Sequence, residues 1–250
     1  EVAKTMERAF RKLRTTVLTS ATVKSVTVAE DDTCRVEVET RKGLETLTAE
    51  VVLSAVGIQS NIENMGLEEA GVKTDRGKVV VDPFYRTSAP GVYAIGDIIP
   101  TPALAHVAST EAICCVEAIC GLDPAPVDYT TVPSCIFTTP EVASVGMTEQ
   151  RAREQGIEYK VGRFPFTASG KATAAGDRDG FVKLLFDEQD RLIGAHLVGA
   201  NVTEMIAEPT LAKSLGATAH AIARTIHAHP TMNEGLMEAA EAALGQAVHI

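Results

Sequence analysis

Phe181-Val182-Lys183-Leu184-Leu185-Phe186, then Asp187-Glu188-Gln189-Asp190-Arg191, then Leu192-Ile193-Gly194-Ala195-His196: this run decides the architecture of the C-terminal half. Two apolar stretches separated by a short polar turn have the pattern of a β-hairpin. Around it, strands are expected at 134–137, 142–146 and 159–165. Helices are expected at 149–155, 202–215, 219–224 and 231–244. The texture of residues 128–250 is therefore α+β. Gly121-Leu122-Asp123-Pro124-Ala125-Pro126 is the clearest linker in the chain, rich in residues that punctuate regular structure.

Upstream the pattern differs. Val2, Met6, Phe10 and Leu13 recur at helical spacing and predict an amphipathic surface helix over 1–13. Stretches 22–29, 34–40 and 45–55 alternate, with turns at Asp31-Asp32 and Arg41-Lys42-Gly43, and predict an antiparallel meander. Glu50-Val51-Val52-Leu53-Ser54-Ala55-Val56-Gly57 becomes almost continuously apolar, the pattern of a strand buried on both faces. A helical piece at 64–70, a strand at 79–81 and a strand Val92–Ile95 follow. A helix is then expected from Ala103 to Cys120.

The whole sequence has 250 residues, 45% hydrophobic and 4% aromatic with no tryptophan, enough for one or two domains with real cores. A net charge of −10 argues against sequence-independent nucleic-acid binding and against docking on an anionic membrane. No apolar run approaches the ~18 residues that would span a bilayer. Five irregularly spaced cysteines make no disulfide framework, and a reducing compartment is expected. The chain opens on Glu1 inside a helical pattern with no cap ahead of it. It is therefore expected to be the back portion of a longer protein.

Two local patterns can carry chemistry, and a third only looks as if it could. In His229-Pro230-Thr231-Met232-Asn233-Glu234, a histidine beside a carboxylate can serve as a general base near neutral pH. The same letters make Thr231-x-x-Glu234 a capping box, in which Glu234 merely closes a helix N-terminus. Gly96-Asp97, at the end of an apolar strand and ahead of the helix start Ala103-Leu104-Ala105-His106, suits a polyhydroxylated cofactor. Its plainer alternative is an ordinary Gly-Asp turn. Cys115 and Cys120 lie five apart on the expected helix, diverge by about 140°, and are read as buried apolar residues rather than a redox pair. His227 has no partner at metal-ligand spacing. Neither a G-x-G-x-x-G nor a Walker loop occurs.

Taken together, these strings resemble one family. Thr87-Ser88-Ala89-Pro90-Gly91-Val92-Tyr93-Ala94-Ile95-Gly96-Asp97 resembles the second flavin-binding segment of the pyridine nucleotide–disulfide oxidoreductases. Ile226-His227-Ala228-His229-Pro230-Thr231-Met232-Asn233-Glu234 is similar to the C-terminal active-site motif of the dihydrolipoamide dehydrogenases. Glu204–Glu208 and the closing Ala247-Val248-His249-Ile250 fit the same family. The resemblance covers essentially the whole chain, in order.

It implies an α/β and α+β organisation in three parts. Residues 1–56 would be the tail of an NAD domain, 57–127 the central part completing an FAD domain, and 128–250 a dimerisation domain. It implies FAD and NAD as cofactors. Asp97 would bind the ribityl chain, and Ala103, Leu104, Ala105 and His106 would start the helix at the flavin's pyrimidine edge. Gly57 would lie against NAD, although Ile58 follows where the family has arginine.

His229 would be the acid–base residue, reaching across a homodimer, with Glu234 orienting it. The implied activity is oxidation of dihydrolipoamide to lipoamide, with NAD as acceptor and the lipoyl domain of a 2-oxo acid dehydrogenase complex as partner, in the cytoplasm or an organelle matrix. The family's redox disulfide and both glycine fingerprints have no counterpart here, so this stretch alone is expected to be inactive. The alternatives are a non-catalytic dimerisation module and a disulfide reductase of the glutathione or mercuric type.

Overall fold

The structure, a computed structural model, describes residues 1–250. The chain divides into two compact units, 18–127 and the combination of 1–17 with 128–250.

The elements run in the following order. Helix α1 (Val2–Lys12) precedes strands β1 (Thr22–Val28), β2 (Cys34–Thr40), β3 (Gly43–Ala49), β4 (Thr74–Asp75) and β5 (Lys78–Val79). Then come α2 (Ala105–Ile119), β6 (Ser134–Ile136), β7 (Glu141–Gly146), α3 (Glu149–Glu154) and β8 (Lys160–Pro165). The chain continues through α4 (Gly170–Ala175), β9 (Phe181–Phe186) and β10 (Leu192–Gly199). It closes with α5 (Val202–Met205), α6 (Ala207–Ser214), α7 (Ala219–Arg224) and α8 (Glu234–Ala243).

The C-terminal unit is built on an antiparallel sheet ordered β6-β7-β10-β9-β8. Its centre is the expected hairpin. The Asp187 carboxylate accepts from the Gln189 and Arg191 amides at 3.0 and 2.8 Å, and Asp190 supplies the left-handed residue (φ 59°). All six residues of β9 are buried, because both faces of the sheet are covered. On one face Phe164, Phe166, Leu184 and Leu197 pack with Met205, Ile222 and Leu236 from the C-terminal helices. On the other, Val142, Phe181 and Val198 meet Val2 and Met6 of α1. Lys183, also on that face, forms ion pairs with Glu1 and Glu149.

Helix α8 can lie flat on β8 because its inner side is small: Gly235, Ala239 and Ala240 are all buried there. The approach is so close that a Cβ on Gly162 of β8 would fall 1.7 Å from the Ala239 carbonyl oxygen. This contact fixes α8 and, with it, the carboxylates along its first turns.

Two expectations for this unit need correction. The single helix over 202–215 is two helices, α5 and α6. Pro209 lacks the N–H that would bond Met205 O, and its ring clashes with that carbonyl, so the chain restarts at Ala207 with Pro209 in a first turn. The last helix begins at Glu234, not Thr231, since Thr231 Oγ1 donates back to Ala228 O at 2.6 Å and residues 231–233 form a turn. Helix α4, capped by Ser169, was not expected.

In the unit 18–127, β1–β3 form the expected antiparallel meander, and the central strand buries Val36 and Val38. A second core gathers Val72, Val79, Tyr85, Ile99, Cys114 and Cys115. The apolar run 50–57 does not form a strand. No strand pairs with it, and Leu53 and Val56 are about nine-tenths exposed. An apolar strand without neighbours has nothing to satisfy its backbone or cover its side chains.

Segment 92–95 is likewise no strand. Its backbone is spent on a tight return, Ala94 N bonding Tyr85 O at 3.0 Å, with a single bridge between Arg86 and Tyr93. Residues 64–70 form turns and not a helix, and the strand expected at 79–81 is the two-residue β5. No helix of the chain is long and apolar enough to cross a membrane.

Candidate active site

The loop between α7 and α8 carries the sharpest sequence signal. His229 Nδ1 lies 2.8 Å from Glu234 Oε1, and the other Glu234 oxygen accepts the Thr231 amide at 2.9 Å. The two readings of Glu234 thus describe its two oxygens. One holds the imidazole, and the other satisfies a loop amide just ahead of the helix. Partial burial alone would raise the Glu234 pKa, but the bonds from His229 and Thr231 outweigh it and hold the carboxyl below its usual value.

With Glu234 ionised, Nδ1 carries the hydrogen and Nε2 keeps a lone pair. The His229 side chain is 77% exposed, so that lone pair is open to a proton donor. The arrangement can therefore accept or return one proton, with a carboxylate to orient the ring and stabilise the imidazolium. A cavity of about 160 Å³ adjoins the pair, lined by Phe164, Ser169, Met237 and Glu238 among others.

Two further histidine–carboxylate pairs stand nearby, and neither was expected. His227 Nε2 meets Glu208 Oε1 at 2.8 Å, and this bond raises the His227 pKa. His249, from the C-terminal tail, bonds the buried Glu238, which raises the His249 pKa. The signal for the second of these was a four-residue step: Glu234 and Glu238 share one face of α8. Nothing local in the sequence joins Glu208 to His227, nineteen residues apart.

In the unit 18–127, Gly96-Asp97 opens a 3-10 turn, Gly96–Ile98, rather than ending a strand. Gly96 has φ +71°, and a Cβ added there would lie 3.3 Å from the Ala108 Cβ, so the turn is pressed against α2. Glu111, fully buried in α2, accepts the Gly96 amide at 2.7 Å and locks that approach.

Asp97 itself is exposed. Its backbone oxygen accepts from Ser60 Oγ and Lys78 Nζ, both at 2.6 Å, so two side chains unremarked in the sequence fix its backbone. Helix α2 begins at Ala105 with Leu104 as its cap residue, and Ala103 precedes it. Ala103, Ala105 and His106 are exposed and Leu104 half-buried, so this helix start lies open. Gly57 has φ +113° with open space around it.

Cys114 and Cys115 are buried, and burial pushes both thiols up in pKa. Cys120, expected to be buried, is exposed because it caps the end of α2.

Comparison with known proteins brings the two halves together. The family description "Pyridine nucleotide-disulphide oxidoreductase" matches residues 1–112, and its dimerisation domain matches residues 132–240. The chain belongs to the pyridine nucleotide-disulphide oxidoreductases.

Its curated relatives include the dihydrolipoyl dehydrogenase of Geobacillus stearothermophilus, 45% identical over 252 residues, covering 100% of this chain and 53% of the relative. The mitochondrial dihydrolipoyl dehydrogenase of Sus scrofa is 42% identical over 254 residues, covering 100% of this chain and 50% of the relative. The chain spans about half the length of the curated relatives it matches. Among solved structures, LpdA from Mycobacterium tuberculosis is similar at a TM-score of 0.87 and 26% identity, over 96% of this chain and 52% of the other. The Cu(II) complex of the HOCl-induced flavoprotein disulfide reductase RclA from Escherichia coli matches at a TM-score of 0.87 and 26% identity, over 96% of this chain and 54% of the other. The expected α/β and α+β fold class agrees with these neighbours.

Proposed function

We propose that these residues serve a flavin-dependent dihydrolipoyl dehydrogenase, which oxidises dihydrolipoamide to lipoamide with NAD as acceptor. The observation that carries the proposal is the 2.8 Å bond from His229 Nδ1 to Glu234, which leaves Nε2 exposed for proton exchange. His229 accepts a proton from a substrate thiol at Nε2, and Glu234 holds the ring and stabilises its charged form. The thiolate so formed is the nucleophile toward a disulfide, which residues other than these must supply.

The flavin's place is supported by the left-handed Gly96, clamped by Glu111 against α2, beside an exposed carboxylate. Asp97 would accept hydroxyl hydrogen bonds from the ribityl chain. The open helix start at Ala103, Leu104, Ala105 and His106 would face the electron-rich edge of the ring system. When bound, FAD supplies two-electron transfer between a dithiol and the nicotinamide. Gly57, with its left-handed backbone in open space, is the position offered to NAD.

The division 1–56, 57–127 and 128–250 belongs to this proposal. So do a homodimer through the last part, a lipoyl domain as the partner that delivers substrate, and a location in the cytoplasm or an organelle matrix.

The test is His229→Gln in the full protein with FAD bound. Turnover of dihydrolipoamide should fall by about 10²–10⁴-fold, the usual worth of a positioned acid–base group, with the flavin absorbance retained. Unchanged turnover would remove His229 from the reaction. Turnover of glutathione disulfide or mercuric ion in place of lipoamide would reassign the substrate.

A further inference from the structure

We propose that Glu208 of α6 is a positioning residue for His229, acting through His227 and Asn233; this rests on the acid–base role given to His229 above. The His229 ring is mostly exposed, so packing does not orient it; its one hold is the bond to Glu234. That bond is only as good as the placement of the loop 225–233 and of the first residue of α8.

Glu208 grips both. Its Oε1 lies 2.8 Å from His227 Nε2, two residues before His229. Its Oε2 accepts from Asn233 Nδ2 at 3.3 Å, one residue before Glu234. A single carboxylate on another helix therefore ties down the loop beside each member of the His229–Glu234 pair.

The state of His227 strengthens the tie. Its side chain is only 4% exposed, and its Nδ1 faces the Thr225 carbonyl oxygen at 2.9 Å. A carbonyl and an ionised carboxylate only accept, so this pairing favours the cationic ring, with hydrogen on both nitrogens, and raises its pKa. The bond to Glu208 is thus charge-assisted, stronger than a neutral one. Glu208 keeps this buried cation paired, and a bare carboxylate is not left behind. The ring cannot swing out without breaking both bonds. It is an anchor for the loop, and it leaves the proton chemistry to the exposed His229.

The test reads the orientation of His229 directly. In the full chain, nitrogen chemical shifts of the neutral His229 ring should report hydrogen on Nδ1, donated to Glu234. In Glu208→Ala the Nδ1–H form should fall below half of the population. Asn233→Ala should lower it less, and Glu208→Gln, which keeps an acceptor for His227, should restore most of it. In the flavin-loaded protein, Glu208→Ala should lose roughly 10–100-fold in kcat, the scale of a small misplacement, with KM little changed.

An unmoved His229 tautomer in a folded Glu208→Ala chain overturns the proposal. Should that variant not fold, an unmoved tautomer in Asn233→Ala overturns it instead. The tautomer needs neither flavin nor lipoamide. An active His229→Gln enzyme would therefore sink the proposed function while leaving the positioning result standing, and the reverse also holds.

Discussion

The two apolar stretches Phe181–Phe186 and Val51–Val56 are similar in letters and opposite in fate. The first is β9, buried along its whole length between α8 and α1, with β8 and β10 on its edges. The second pairs with nothing and holds its leucine and valines out to water. Strand-forming letters state a demand for neighbours; they do not provide them. A buried strand exists only where backbone partners and two covering layers are all in place.

Truncation should separate the two stretches most sharply. In the 250-residue chain, Phe186→Ala, at a fully buried position, should cost about 3–5 kcal/mol in urea unfolding, whereas Leu53→Ala should stay within about 0.5 kcal/mol. Equal costs at the two positions would break the comparison.

Close approach should come next. Gly162→Ala forces a methyl into the Ala239 carbonyl and should destabilise by about 1–3 kcal/mol, with α8 shifted on β8. A neutral result would mean that α8 is not pinned there.

A clamp within the unit 18–127 allows a similar measurement. Glu111→Ala leaves the Gly96 amide without its buried acceptor and should cost about 1–3 kcal/mol, with faster hydrogen exchange at that amide. Exchange as slow as in the wild type would show that something else holds Gly96.

The smallest effect is in pH. Glu208 raises the His227 pKa above its ordinary 6.5, so the stability this pair contributes is fully present below that value. It is lost as pH rises through the raised pKa. The urea midpoint of the wild type should therefore fall relative to His227→Gln as pH rises above about 6.5. A difference that stays constant as pH rises would remove the linkage.

Much of the C-terminal sheet was legible because its signals are local. The hairpin turn needs only Asp187 and its neighbours within four residues, and the strands on either side alternate or stay apolar over short spans. The meander of β1–β3 was legible for the same reason. The His229–Glu234 pair was legible as an alternative to a capping box, and the structure divides the two roles between two oxygens of one carboxylate. Segments 50–57 and 92–95 carry strand-like letters yet form no strand, because a strand is defined by what lies beside it.

By itself, then, the sequence determined the turns, the apolar periods and the residue types able to move a proton. These depend on interactions across a few residues, and a one-dimensional pattern contains them. Only the tertiary structure decided which carboxylates His227 and His249 meet. Glu208 reaches His227 across a helix boundary, and Glu238 takes His249 from the returning tail. Hydrogen bonds of under 3 Å between distant segments depend on how α6, α7 and α8 stack on the sheet, and that stacking is set by packing volumes rather than by spacing along the chain.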